Sequence, residues 1–129
     1  MNILTRVPII FIIALLLLAS CGKRQQAKGV VKDFIEAYAA EEIDITSFSD
    51  LDSTHAISDS MLHVLRDKAQ RDPLFKKVEL QNLTTSNNAN RQNPTLLFIR
   101  MRYRVVQDTL EQWRTFYFDP DLSGIIAFK

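Results

Sequence analysis

The chain has 129 residues, with 16 basic and 15 acidic side chains, three glycines, four prolines and one cysteine. So even a charge balance gives no electrostatic reason for a nucleic-acid or strongly anionic partner, and so little glycine and proline excludes a low-complexity stalk. With a single cysteine, no disulfide can form within the chain.

Met1 to Arg6 is a short leader with one positive charge, and Val7 to Leu18 follows as twelve residues without a charged or polar side chain. A spanning helix needs roughly 20 apolar residues, whereas a run of 10–14 fits the core of a signal peptide. Small residues Ala19 and Ser20 then lead to Cys21. The order resembles the lipobox of bacterial lipoproteins, and Leu18-Ala19-Ser20-Cys21 fits that pattern throughout. The resemblance implies that residues 1–20 are a signal peptide, that the chain is cut before Cys21, and that Cys21 carries diacylglycerol and an amino-linked acyl chain of the palmitate type. Several acyl chains suit a stable anchor, since each buried CH₂ contributes only about 0.8 kcal/mol. Gly22 stands where aspartate would signal inner-membrane retention, so in a cell with two membranes the resemblance places the protein in the envelope at the outer one. No histidine lies near Cys21 in sequence, which argues against a catalytic thiol.

Removing residues 1–20 leaves 109 residues, enough for one domain. Residues 21–26 read as a polar tether and 27–129 as a single α+β domain. Ala27, Val30, Val31, Phe34, Ile35, Tyr38 and Ala39 recur at the spacing of one buried helix face. An acidic, irregular stretch is expected from Glu42 to Thr54. A second helix is predicted to start at Ser58, a good N-cap with Asp59 in the first turn, presenting Met61, Leu62, Leu65 and Ala69 and stopping before Asp72-Pro73.

Strand signals run from there to the end. Leu74 to Thr84 is predicted as a strand, and Ser86 to Pro94 as a polar loop. Thr95 to Val106 alternates, with Leu97, Ile99, Met101, Tyr103 and Val105 on one face and Arg100, Arg102 and Arg104 on the other. Leu110 to Phe118 is predicted to pair with it through a turn at Asp108-Thr109, which sets Arg104 opposite Trp113, Arg102 opposite Thr115 and Arg100 opposite Tyr117. Ile125 to Phe128 is a short last strand. The order of elements, with Val31-Lys-Asp-Phe-Ile-Glu-Ala-Tyr38 opening it, is similar to the NTF2-like (cystatin-like) superfamily. That resemblance implies N-terminal helices packed on a curved antiparallel sheet. The chain departs from the family in showing only four clear strands.

Several motifs suggest chemistry and do not carry it. Asp50-Leu-Asp52-Ser-Thr54 matches the DxDxT of haloacid-dehalogenase-type phosphatases, but no buried strand leads into it. Asp119, Asp121, Ser123, Gly124 and Ile126 match part of an EF-hand loop, yet the twelfth position would fall beyond Lys129, and a turn built on Pro120 and Gly124 is expected instead. His55 and His63 are spaced too far apart for a zinc site. No metal, cofactor or catalytic residue is therefore expected.

The informative surface is the arginine stripe. Arg100, Arg102 and Arg104 lie about 6.7 Å apart on one strand face, and with Trp113 and Tyr117 they form a candidate binding face of residue types that dominate interfaces. A solvated face that protects Leu96 to Ile99 from aggregation is the plainer alternative. The functional expectation is a membrane-anchored envelope lipoprotein acting as a non-catalytic binding or accessory module for a protein or glycan partner. The alternatives are an NTF2-like acid–base enzyme with a small-molecule pocket, and an inhibitor or immunity lipoprotein. The inward positions offer an enzyme only Tyr38 and Tyr103 as polar groups.

Overall fold

The computed structural model describes residues 22–83 and 93–129. The lipobox, Cys21 and most of the polar loop before Pro94 lie outside the described residues. Helix α1 covers residues 22–38, followed by β1 (Ile43–Phe48), β2 (Asp52–Thr54), α2 (Asp59–Gln70), β3 (Leu96–Val105), β4 (Gln112–Phe118) and β5 (Ile125–Phe128). The strands form one open, antiparallel, five-stranded sheet in the order β1-β3-β4-β5, with β2 pairing the other end of β3 beside β1. The class is α+β. Among the described residues no helix is long and apolar enough to cross a membrane.

The layers follow from the two periodicities. Helix α1 lays Ala27, Val31, Phe34 and Ile35 on the inner face of the sheet, against Ile99, Met101 and Tyr103 of β3, all buried. Phe34, Phe75, Phe116 and Phe128 fill the space between, with neighbouring ring centroids 4.9–6.2 Å apart and mostly edge-on, the arrangement aromatic quadrupoles prefer. On the outer face, Leu62 of α2 closes a smaller core of Ile57, Leu96, Tyr117, Ile126 and Ala127. Ser58 caps α2 as expected, its hydroxyl accepting from the Met61 N–H at 3.2 Å.

Helix α2 also guards the sheet edge at β5. The Arg66 guanidinium donates to the carbonyls of Gln81 (2.7 Å) and Ile126 (2.9 Å). Burial in this position lowers the Arg66 pKa from its ordinary value. An edge strand whose carbonyls are taken by an arginine cannot recruit another strand there.

Three expectations need correcting. First, the acidic stretch 42–54 is not irregular: Ile43, Ile45 and Phe48 alternate inward and build β1, with a bulge between Ile45 and Ser47. Asp44 and Thr46 point outward between them, and the bulge after Ile45 breaks the alternation before Phe48. Second, Leu74 to the limit of description at residue 83 forms no strand. Its N–H groups go to separate partners, Lys76 to the Tyr38 carbonyl and Gln81 to that of Ile125, because β5 is too short to carry a ladder on its outer side. Third, the β3–β4 register is offset by two residues. Arg102 faces Trp113, Arg100 faces Thr115, and Tyr117 faces Phe98. The reversal is set by the Asp108 N–H bonding to the Val105 carbonyl at 2.8 Å, so the chain turns before Asp108-Thr109.

Residues 22–26, assigned to the tether, are helical. Arg24 folds back from this first turn and donates to the carbonyls of Phe48 (3.0 Å) and Ser49 (3.2 Å). There it satisfies backbone exposed at the β1–β2 junction.

Candidate functional site

The pleat of β3 puts Arg100, Arg102 and Arg104 on the outer face and all three are exposed. The shifted register then divides them. Arg104 lies beside Asp44 of β1 and pairs with it at 3.3 Å. Arg102 pairs with Glu111 and lies over the Trp113 ring, 5.7 Å from its centroid. Such a stack contributes about 0.5–1 kcal/mol at an exposed site. Trp113 is 54% exposed, an unusual position for an indole ring. Arg100 reaches neither partner and faces a hollow next to α2.

Tyr117 is not on the open surface. It is 5% exposed, packed 6.1 Å from Phe98, with the Lys129 ammonium 6.0 Å above its ring. The five candidate side chains thus form an Arg102–Trp113 stack, an Arg104–Asp44 ion pair, and an Arg100–Tyr117 corner in the hollow by α2, rather than one continuous face.

On the inner face, sequence reasoning missed a polar cluster at the end of β4. The Arg114 Nε donates to Asp72 Oδ2 at 3.2 Å, and its guanidinium lies 5.6 Å from the Tyr103 ring centroid. Asp72 Oδ1 accepts from the Leu74 N–H, and the Tyr103 hydroxyl donates to Gln112 Oε1 at 3.0 Å. Asp72 looked like a helix stop because the following proline dominates the local signal, and only long-range pairing brings Arg114 to it. Every polar group here is engaged by a neighbour, so the cluster is structural. Burial pushes the Tyr103 phenol above its ordinary value, against the pull of Arg114.

That shift has a defined sign. Between the ordinary tyrosine pKa of about 10 and the raised folded value, the unfolded chain loses a proton that the folded chain keeps. Stability is therefore fully present below about pH 10 and falls as pH rises toward the folded value. Tyr103→Phe is expected to cost about 1 kcal/mol at neutral pH through the lost hydrogen bond and to flatten the alkaline decline. Melting temperatures of both proteins from pH 8 to 11 check this, and parallel curves would contradict it.

The Asp119–Ser123 turn is closed by the chain's own atoms. The Leu122 N–H bonds to the Asp119 carbonyl at 2.9 Å, and Asp121 Oδ1 accepts from both the N–H and hydroxyl of Ser123. Leu122 takes a left-handed φ of 55°, held there by its buried side chain. Among the described residues no three histidine, cysteine or carboxylate side chains converge as a metal site.

No protein-family model matches the chain, and neither the curated proteins nor the solved structures contain a match.

Proposed function

We propose that the protein is a lipid-anchored lipoprotein of the cell envelope, held at the outer membrane, whose NTF2-like domain is a non-catalytic binding module. The observation that carries this reading is the Arg102–Trp113 stack on the outer sheet face, a large aromatic ring left exposed and braced by an arginine. Supporting the family reading are a single long helix on the inner face and strands that end in a β3–β4–β5 meander. An acid–base enzyme would need a titratable side chain facing a cavity between α1 and the sheet. That layer is packed with phenylalanine rings, and the polar groups at its edge, Tyr103, Arg114 and Asp72, are engaged by neighbouring groups.

Anchoring and binding are compatible in this geometry. The described part of α1 begins at residue 22, next to Cys21 in sequence, so acyl chains on Cys21 would hold this end of the helix close to the lipid. At about 1.5 Å per residue the helix extends some 25 Å, and its far end approaches the β3–β4 turn, where the Val106 N–H bonds to the Glu42 carbonyl. Trp113 pairs with Arg102 on the outer sheet face, opposite the layer that α1 covers, so the anchored helix leaves it accessible.

Two measurements test the proposal. Cys21→Ser should abolish labelling by a palmitate analogue and release the protein from membranes; a labelled mutant would refute the anchor. The double change Arg102→Glu and Trp113→Ala should abolish crosslinking of the protein's envelope partner. Both side chains are exposed, so the melting temperature should stay within a few degrees of wild type. A folded double variant crosslinked to every wild-type partner would show that the stack is only solvated surface.

A further inference from the structure

Helix α2 turns Leu62 and Ala69 inward, yet it leaves Met61 52% and Val64 53% exposed. With the half-buried Leu65 and with Lys68 these residues form a stripe at helical spacing, whose Met61 and Val64 side chains stay exposed among the described residues. The stripe borders two adjoining hollows, of about 360 Å³ and about 280 Å³, that share Ile57, Met61 and Lys129. Together they make one groove between α2 and the outer sheet face, floored at one end by Phe98 and Tyr117.

Among the described residues its charged side chains are all cationic. Arg100 stands at one end, Lys129 at the shared middle and Lys68 at the other end, and among the described residues no side-chain carboxylate lines either hollow. Elsewhere on this surface the arginines have acidic partners, as in Arg102–Glu111, Arg104–Asp44 and Arg71–Asp67. An apolar floor edged by cationic side chains that pair with no acidic side chain among the described residues complements a ligand with apolar anchors and several negative charges. A lipid presents its charge at one end, whereas three cations spread along a groove match carboxylates spaced along a chain. We infer that this groove docks an acidic amphipathic helical segment of a partner protein, laid in by apolar side chains at i, i+3/i+4 and i+7.

The inference rests on reading the domain as a binding module. It depends on neither Cys21 nor the Arg102–Trp113 stack, so peptide binding and envelope crosslinking can fail separately. The test uses the full-length chain in phosphatidylcholine vesicles and a fluorescent synthetic helix with leucines on one face and flanking glutamates. A scrambled peptide of the same composition and a lysine-for-glutamate version are the controls. The patterned acidic peptide should bind, and the double change Lys68→Glu and Lys129→Glu should weaken it at least about tenfold while admitting the lysine version. Val64→Glu should weaken both.

Equal binding of patterned and scrambled peptides, or no effect of the charge reversal, would overturn the inference. A Val64→Cys variant made in a Cys21→Ser background, so that the new thiol is the only one, covers the other occupants. Protection of its thiol by dodecyl phosphate and not by the peptide would assign the groove to a lipid, and disulfide-linked pairs formed without peptide would assign it to a second copy. Either result would also overturn it. Protection by the acidic peptide alone is the expected result.

Discussion

Phe128→Ala should destabilise the domain by about 3–5 kcal/mol, the range for emptying a buried aromatic site that cannot collapse. The ring is 1% exposed and lies 4.9 Å from Phe75, 5.7 Å from Phe34 and 5.7 Å from Phe116. It therefore joins α1, the segment after α2, and β4 at one point. Those neighbours belong to different elements, so no single shift can refill the cavity. Domains of this size are stable by about 5–15 kcal/mol, and each kcal/mol moves the melting temperature by about 4–8 °C. The variant should melt at least about 12 °C lower than wild type. Trp113→Ala, a larger deletion at an exposed site, should shift it by only a few degrees. Similar shifts for the two would mean that the phenylalanine layer does not hold the fold together.

Asp72→Ala should cost about 3 kcal/mol, at the lower end of the range for orphaning a buried charge. The Arg114 side chain is 22% exposed and that of Asp72 13%, so the guanidinium left behind is mostly out of water. The carboxylate also accepts the Leu74 N–H, and alanine loses that bond as well. Arg114→Met alone leaves the carboxylate with its backbone donor and should cost less. The double change should cost clearly less than the sum, because the second deletion removes the unpaired charge that made the first expensive. Chemical denaturation of the four proteins in this cycle measures the coupling. Additive costs, or a loss under about 1 kcal/mol for Asp72→Ala, would show that the pair is only a surface contact.

Local chemistry in the sequence determines much of this fold. The apolar recurrence from Ala27 to Tyr38 specifies the inner face of α1, Ser58 and Asp72-Pro73 bracket α2, and the alternation of Ile99, Met101 and Tyr103 with three arginines specifies the two faces of β3. Each is a signal between residues a few positions apart, so a reading of the chain recovers it. The exposure of the arginine stripe and of Trp113 belongs to the same class.

Pairing is different, because it joins residues far apart. The edge strand β1 exists because β3 offers it a free ladder, while Leu74 and the residues after it find only the short β5. The β3–β4 offset is the sharpest case. Side chains alternate with a period of two, so a shift of two residues keeps every hydrophobic residue on its own face and hydrophobic patterning cannot choose between the registers. Contacts choose: in the observed register Tyr103 reaches Gln112, Arg102 reaches Trp113 and Glu111, and Arg114 reaches Asp72. The groove beside α2 is decided the same way. The sequence marks Met61, Leu62 and Leu65 alike as apolar positions of one helix, and only the docking of α2 against β5 buries Leu62 and leaves Met61 in water.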